Sequence, residues 1–234
     1  MSAVSMSPSS TLDLKVIKKT PSWHLSLDEM KHYGTPQAWM PEVIADWKSD
    51  NLPNFMRGFN QVQKAVEHKL PHFYGSLWVK HITADGDIID YGLVSLRAVT
   101  TAGVNFIANC FAGTSGYEPE SMKYHGIGTG NSVAEAAGNT NLETPITGTD
   151  LSPSGTRATG TLEIGSSANI YRTVGVNTLS GTSASKSVKE HGIFNLATIA
   201  SGGTLLDRTV FAEVVLAAND SLQTTYDLTF AAGS

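Results

Sequence analysis

Disulfide staples are excluded at once. The 234-residue chain holds a single cysteine, Cys110, so no disulfide can close within it, and a fold built for an oxidising compartment is not expected. No stretch approaches about 18 consecutive apolar residues, which excludes a membrane-crossing helix. Residues 1–11 are rich in Ser and Thr but lack the basic and apolar regions of a signal peptide. The expectation is a protein made in a cytosol and soluble there. Charge is scarce too: Asp, Glu, Lys and Arg make up 16% of the chain, where ~25% is usual. With 16 basic against 21 acidic residues the net charge is −5, without the basic surplus of a nucleic-acid binder. What remains is a sheet protein with much uncharged polar surface and 22 glycines.

Composition divides the chain. Residues 1–80 carry 9 basic and 7 acidic side chains, residues 81–234 carry 7 and 14, and all four tryptophans lie in the first part. From 121 to 190, Ser, Thr and Gly fill 31 of 70 positions. This predicts residues 1–72 as an extended arm with short helices and residues 73–234 as a sheet domain. In the arm, Pro41 opens a helical first turn. Phe55, Phe59, Val62 and Val66 share one face of a helix over 54–69, which Pro71 stops. The arm tryptophans Trp23, Trp39 and Trp47, with Phe55 and Phe59, are candidate interface residues, because aromatic anchors dominate interfaces.

Past residue 75 the apolar period becomes two. Strands are expected over 76–83 and 88–99 around an Asp85-Gly86 turn. A helix capped by Thr101 follows, with Val104, Ile107, Ala108 and Phe111 as its apolar face. Further strands are expected over 123–128, 157–164, 169–176, 188–195, 205–216 and 221–230. Short strands spaced by Gly, Ser, Asn and Pro turns predict a mainly β fold, an antiparallel β-sandwich of Greek-key or jelly-roll type.

Chemical motifs are thin. Gly126-Ile-Gly-Thr-Gly130 has neither the Lys of a P-loop nor the Rossmann spacing, and reads as a strand entering a turn, with Gly supplying positive φ. Asp85, Asp87 and Asp90 lack the twelfth-position Glu of a calcium loop, since Leu96 stands there. His125 and His191, the latter flanked by Glu190, can meet in space as a metal site or acid–base pair, but a third group to orient them is missing. No cofactor, metal or catalytic residue is assigned. Arg172 and Arg208 sit in apolar or hydroxylic strands and call for a carboxylate such as Asp207, Glu190 or Asp227, within one subunit or between subunits. Both are further candidate interface residues.

Six runs carry a resemblance: Tyr124-His-Gly-Ile-Gly-Thr-Gly130, Leu142-Glu-Thr144, Ser167-Ala-Asn-Ile-Tyr-Arg-Thr-Val174, Glu190-His-Gly-Ile-Phe194, Gly203-Thr-Leu-Leu-Asp-Arg-Thr-Val-Phe211 and Asp220-Ser-Leu-Gln-Thr-Thr-Tyr-Asp-Leu-Thr-Phe230. In this order, over about residues 90–234, they resemble a family of tailed-bacteriophage virion structural proteins. The resemblance implies a non-enzymatic virion component, assembled in the host bacterial cytoplasm. The preferred expectation is a capsid decoration (cement) protein, binding the major capsid protein or other virion proteins as a homo-oligomer, a trimer by preference. Tail, baseplate or fibre-attachment adaptors and a host-glycan-binding module are the alternatives. Neither nucleic acid nor membrane is an expected partner. On the arm model, deleting residues 1–70 leaves a folded domain that no longer binds particles.

Overall fold

The computed structural model describes residues 16–17, 50–51, 54–55, 72–165 and 167–232. Trp23, Trp39, Trp47 and Phe59, and the helix expected over 54–69 beyond its first two residues, lie outside the described residues. The rest is mainly β. In chain order the strands are β1 (Val16–Ile17), β2 (His72–Ile82), β3 (Ile88–Ala98), β4 (Tyr124–Gly128), β5 (Leu151–Ser152) and β6 (Ala158–Thr159). They continue as β7 (Thr161–Ile164), β8 (Ile170–Leu179), β9 (Lys186–Phe194), β10 (Leu205–Leu216) and β11 (Ser221–Ala231), with an α-helix, α1 (Thr101–Phe111), between β3 and β4.

The strands form two sheets. The larger runs β1-β3-β2-β11-β8-β5, with β7 also on β8; the smaller runs β10-β9-β4-β6. Every pairing is antiparallel except the two-residue β1, which lies parallel to β3. Of the last four strands, β8 is in the larger sheet, β9 and β10 are in the smaller, and β11 returns to the larger beside β8. That return of a fourth strand to the first is the Greek-key relation. The sandwich is therefore as the alternation predicts.

Alternation also places the core. Leu77 and Val79 of β2, Leu222, Tyr226 and Leu228 of β11, and Leu179 of β8 meet Ile127, Val188, Ile193, Phe211, Val214 and Leu216 of the smaller sheet in one buried cluster. Each such side chain contributes roughly 1.5–3 kcal/mol by leaving water. The β2–β3 hairpin turns at Asp85-Gly86 as expected, with Gly86 at φ 91° and its amide bonded to Thr83 O at 2.9 Å. Asp220, in the turn between β10 and β11, fastens that turn to the β2–β3 hairpin. Its carboxylate accepts from the amides of Ala84 (2.8 Å) and Ala217 (2.9 Å) and meets His81 Nε2 at 2.8 Å. Burial pushes this carboxyl up, but those donors outweigh it and hold it below the usual range.

Three sequence expectations change. The N-cap of α1 is Thr100, whose hydroxyl accepts from Gly103 N at 3.0 Å and donates to Leu205 O at 2.7 Å. The buried face of α1 is Gly103 and Phe106, because a Cβ at 103 would stand 2.5 Å from Leu206 O and only Gly allows that approach. Val104, Ala108 and Phe111 consequently face solvent. Lastly, the arm does not end at 72. Asn51 is 3% exposed and bridges β3 to β10, donating to Val94 O (2.7 Å) and accepting from Ala212 N (3.0 Å). Deleting residues 1–70 would remove that bridge and β1.

Candidate functional site

The most elaborate polar construction lies on the outer face of the smaller sheet, under residues 129–157. Antiparallel pairing of β4 with β9 sets Gly126 opposite Gly192 and Gly128 opposite Glu190. The covering segment runs back over this face, with Thr129 N bonded to Thr144 O and Ile146 N to Ile127 O, each at 2.9 Å. Glycine gives it clearance. A Cβ on Gly128 would collide with Glu190 Oε1 and Thr144 O, one on Gly130 would stand 2.6 Å from Glu143 Cβ, and one on Gly192 2.9 Å from Leu205 Cδ1. Neither Gly126, Gly128 nor Gly130 has positive φ. The run begins inside a strand, as expected, but its glycines serve close approach and not positive φ.

Glu190, fully buried, fixes the cover. It accepts from the amides of Thr144 (2.7 Å), Glu143 (2.9 Å) and Gly130 (3.2 Å) and from Arg208 Nε (2.9 Å). Arg208 continues to Glu143 Oε2 (3.1 Å) and Val133 O (3.2 Å), and Glu143 accepts from the Ser132 hydroxyl and Val133 N. Hydrogen bonds to Ser132 and Val133, with Arg208 adding its charge, hold the Glu143 carboxyl below the usual range. Of the carboxylates expected for Arg208, Glu190 is the one that meets it. The pair lies within one chain, and at 3% exposure Arg208 has no surface to offer a partner.

Between the sheets, His125 and His191 do meet. His125 Nδ1 lies 3.1 Å from His191 Nε2 and 2.8 Å from Thr224 Oγ1, and its Nε2 lies 3.2 Å from Thr173 Oγ1. Gly175 makes room, since a Cβ there would lie 2.5 Å from the His125 ring. Two protonated rings would oppose N–H groups at 3.1 Å, so one ring donates and the other, neutral, accepts. Burial pulls His125 down to about 3 and, with His125 adding to it, pulls His191 well down. The third group is hydroxyl, not carboxylate. Glu190 points to the opposite face of the sheet, and no cluster of three or more His, Cys, Asp or Glu able to hold a metal occurs among the described residues.

A second interior cluster was not foreseen. Arg97 pairs with Glu135 at 2.5 Å and donates to Asn54 O at 2.8 Å, while Glu135 also accepts from Val210 N at 2.7 Å. Asp207 and the Tyr226 hydroxyl both crowd Gly75, each within 2.6 Å of where its Cβ would stand. Burial, with the Glu135 charge adding to it, pushes the Asp207 carboxyl up to about 7 against the pull of Arg97. Burial and then the Asp207 charge push the Tyr226 hydroxyl well up. The signal available in the sequence was a charged residue at an inward strand position, which names the residue but not its partner.

On the outer face of the larger sheet, Arg172 grips Asp227 with two bonds of 2.6 and 2.7 Å, its guanidinium 6.0 Å from the Trp78 ring. The bonds to Asp227 push Arg172 further up. Phe55 is half-buried in the short helical stretch at 54–55. Among the described residues Val133, Leu162, Val176, Leu196 and Val215 are exposed apolar side chains, and α1 carries a row of such side chains. Val104, Ala108 and Phe111 stand at i, i+4 and i+7, and Phe111 is 82% exposed. No described helix is long and apolar enough to cross a membrane. No family model matches the chain, and no curated protein does.

Proposed function

We propose that the chain is a non-enzymatic virion structural protein of a tailed bacteriophage, a capsid decoration protein that binds and stabilises the assembled head. One observation supports it above the others: a β-sandwich whose described charged clusters close on themselves presents an apolar helix stripe, Val104, Ala108 and Phe111, to solvent. Exposed apolar rows of this kind mark interaction sites. A sparsely charged, hydroxyl-rich surface also suits burial by neighbours, since interfaces deplete Lys and Glu and a hydroxyl is cheaper to desolvate than a charge. The six ordered runs described above point the same way. Binding only the assembled shell stabilises it by mass action, and closed symmetry, a trimer at local three-fold positions, is the expected arrangement.

Quantitative densitometry of purified particles, before and after heads are separated from tails, tests this reading. A decoration protein stays with heads at on the order of hundreds of copies; a few copies confined to tails would replace it with a tail adaptor. Replacing Phe111 by Asp should leave the thermal transition of the free protein unchanged, because the ring is mostly in solvent, and should lower occupancy on heads. Undiminished occupancy removes α1 as the docking face.

A further inference from the structure

Arg157, between β5 and β6, is a buried cation that no carboxylate among the described residues meets. It is 4% exposed. Its Nη1 donates to the carbonyls of Leu196 (2.8 Å) and Thr198 (3.3 Å), and its guanidinium lies over the Phe194 ring, 3.6 Å from the centroid. Arg97, Arg172 and Arg208 each face an acid; Arg157 has only carbonyl dipoles and a ring face. Unrelieved burial pulls it down to about 10.

The same residue lines a small cavity between β4 and the covering segment, together with Gly126, Asn141, Leu142, Ile146 and Asn177. About 10 Å³ is open there to the centre of a guest, which is room for about one water-sized particle. Asn141 is exposed and stands at the mouth. Asn177 supplies a second, independent observation. It is 3% exposed, and its Oδ1 accepts from Ala158 N at 3.3 Å. That bond fixes the amide, because a flip would set two donors against each other. Its Nδ2 then has no acceptor among the described residues. A cavity with an uncompensated guanidinium and an idle amide donor in its wall is built to receive an acceptor. Water accepts both bonds but leaves the charge uncancelled; an anion does both.

We propose that this cavity binds one small monatomic anion, a halide such as chloride, between Arg157 and Asn177. Two measurements on the full chain test it. Crystals soaked in sodium bromide should give an anomalous peak between the Arg157 guanidinium and Asn177 Nδ2. Thermal unfolding should give a Tm that rises with chloride concentration when sodium gluconate, whose anion is too large to enter, keeps the ionic strength constant. Asn177→Asp places the missing negative charge inside the chain, so this variant should fold, lack the bromide peak and lose the chloride dependence. No bromide peak together with equal Tm in the two salts overturns the proposal. So does an Asn177→Asp variant that keeps the full chloride dependence.

Discussion

At the scale of single residues, the decisive feature is how much charge this protein buries and how completely most of it is answered. Glu190 accepts three amides and one guanidinium nitrogen, bonds worth roughly 1.5–3 kcal/mol each when one partner is charged. Arg208→Met leaves that carboxylate buried without its cation, and urea titration should register a loss of about 3–5 kcal/mol. Gly128→Ala tests the cover from the other side. The new methyl meets the Thr144 carbonyl, a backbone atom that cannot turn away, so about 1–3 kcal/mol should be lost, as for other overpacked sites. An unchanged urea midpoint in either variant would mean that the segment over the smaller sheet is not fixed there. The sequence called for a carboxylate opposite Arg208 and named Glu190 among three. It had no means to name the three amides, because residues 130–144 meet residue 190 only through the register of β4 with β9.

At the scale of elements, the outer edge of β10 is closed by groups from elsewhere in the chain. Thr100 N reaches Leu206 O at 3.0 Å, Glu135 takes Val210 N and Asn51 takes Ala212 N. Bare edges invite pairing with other chains, and these caps close this one as far as residue 212. Asn51→Ala frees Ala212 N and Val94 O together and should cost about 1–3 kcal/mol. Thr100→Ala removes the cap of α1 and should cost about 0.5–2 kcal/mol. Asn51→Ala should also speed aggregation on storage, measurable by light scattering; a variant as stable and monodisperse as the parent would refute the edge role. Element positions were largely legible, since strict alternation and Gly or Asn turns are local signals. The faces of α1 were less so. The helical period marks Val104, Ala108 and Phe111 as one row whether that row meets the core or the solvent, and Gly103 decides which.

At the scale of the molecule, the interior titrates in opposing directions. His125 and His191 are neutral in the folded chain, with His125 down at about 3, but ordinary histidines near 6.5 once unfolded. Their contribution is complete above about pH 6.5 and is lost as pH falls toward 3, because the unfolded chain takes up more protons. Asp207 works the other way. Its folded value of about 7 lies above an unfolded value near 3.9, so its contribution is complete below about pH 4 and is lost as pH rises to 7. Between pH 6.5 and 4.5 two histidines oppose one aspartate, and stability should fall with acidification at roughly 1.4 kcal/mol per pH unit. Asp207→Asn removes the opposing proton and should steepen that fall, as urea unfolding across the range will record. A flat or inverted profile in the parent would contradict the neutral histidine pair.

One pairing has a consequence in time. β11 lies between β2 and β8, and Ala231 pairs with His72. Of these eleven strands the last in sequence is thus an inner strand of the larger sheet, and until it arrives β2 and β8 have a gap between them. Local hairpins form early, but closure of the body waits for contacts some 150 residues apart in sequence, the slow kind of contact. A ribosome carrying all but the final eleven strand residues therefore holds an open sheet with its apolar row uncovered. A stop codon at Asp220 should give insoluble product, and one after Ala231 a soluble protein. The body closes only once synthesis has passed that point.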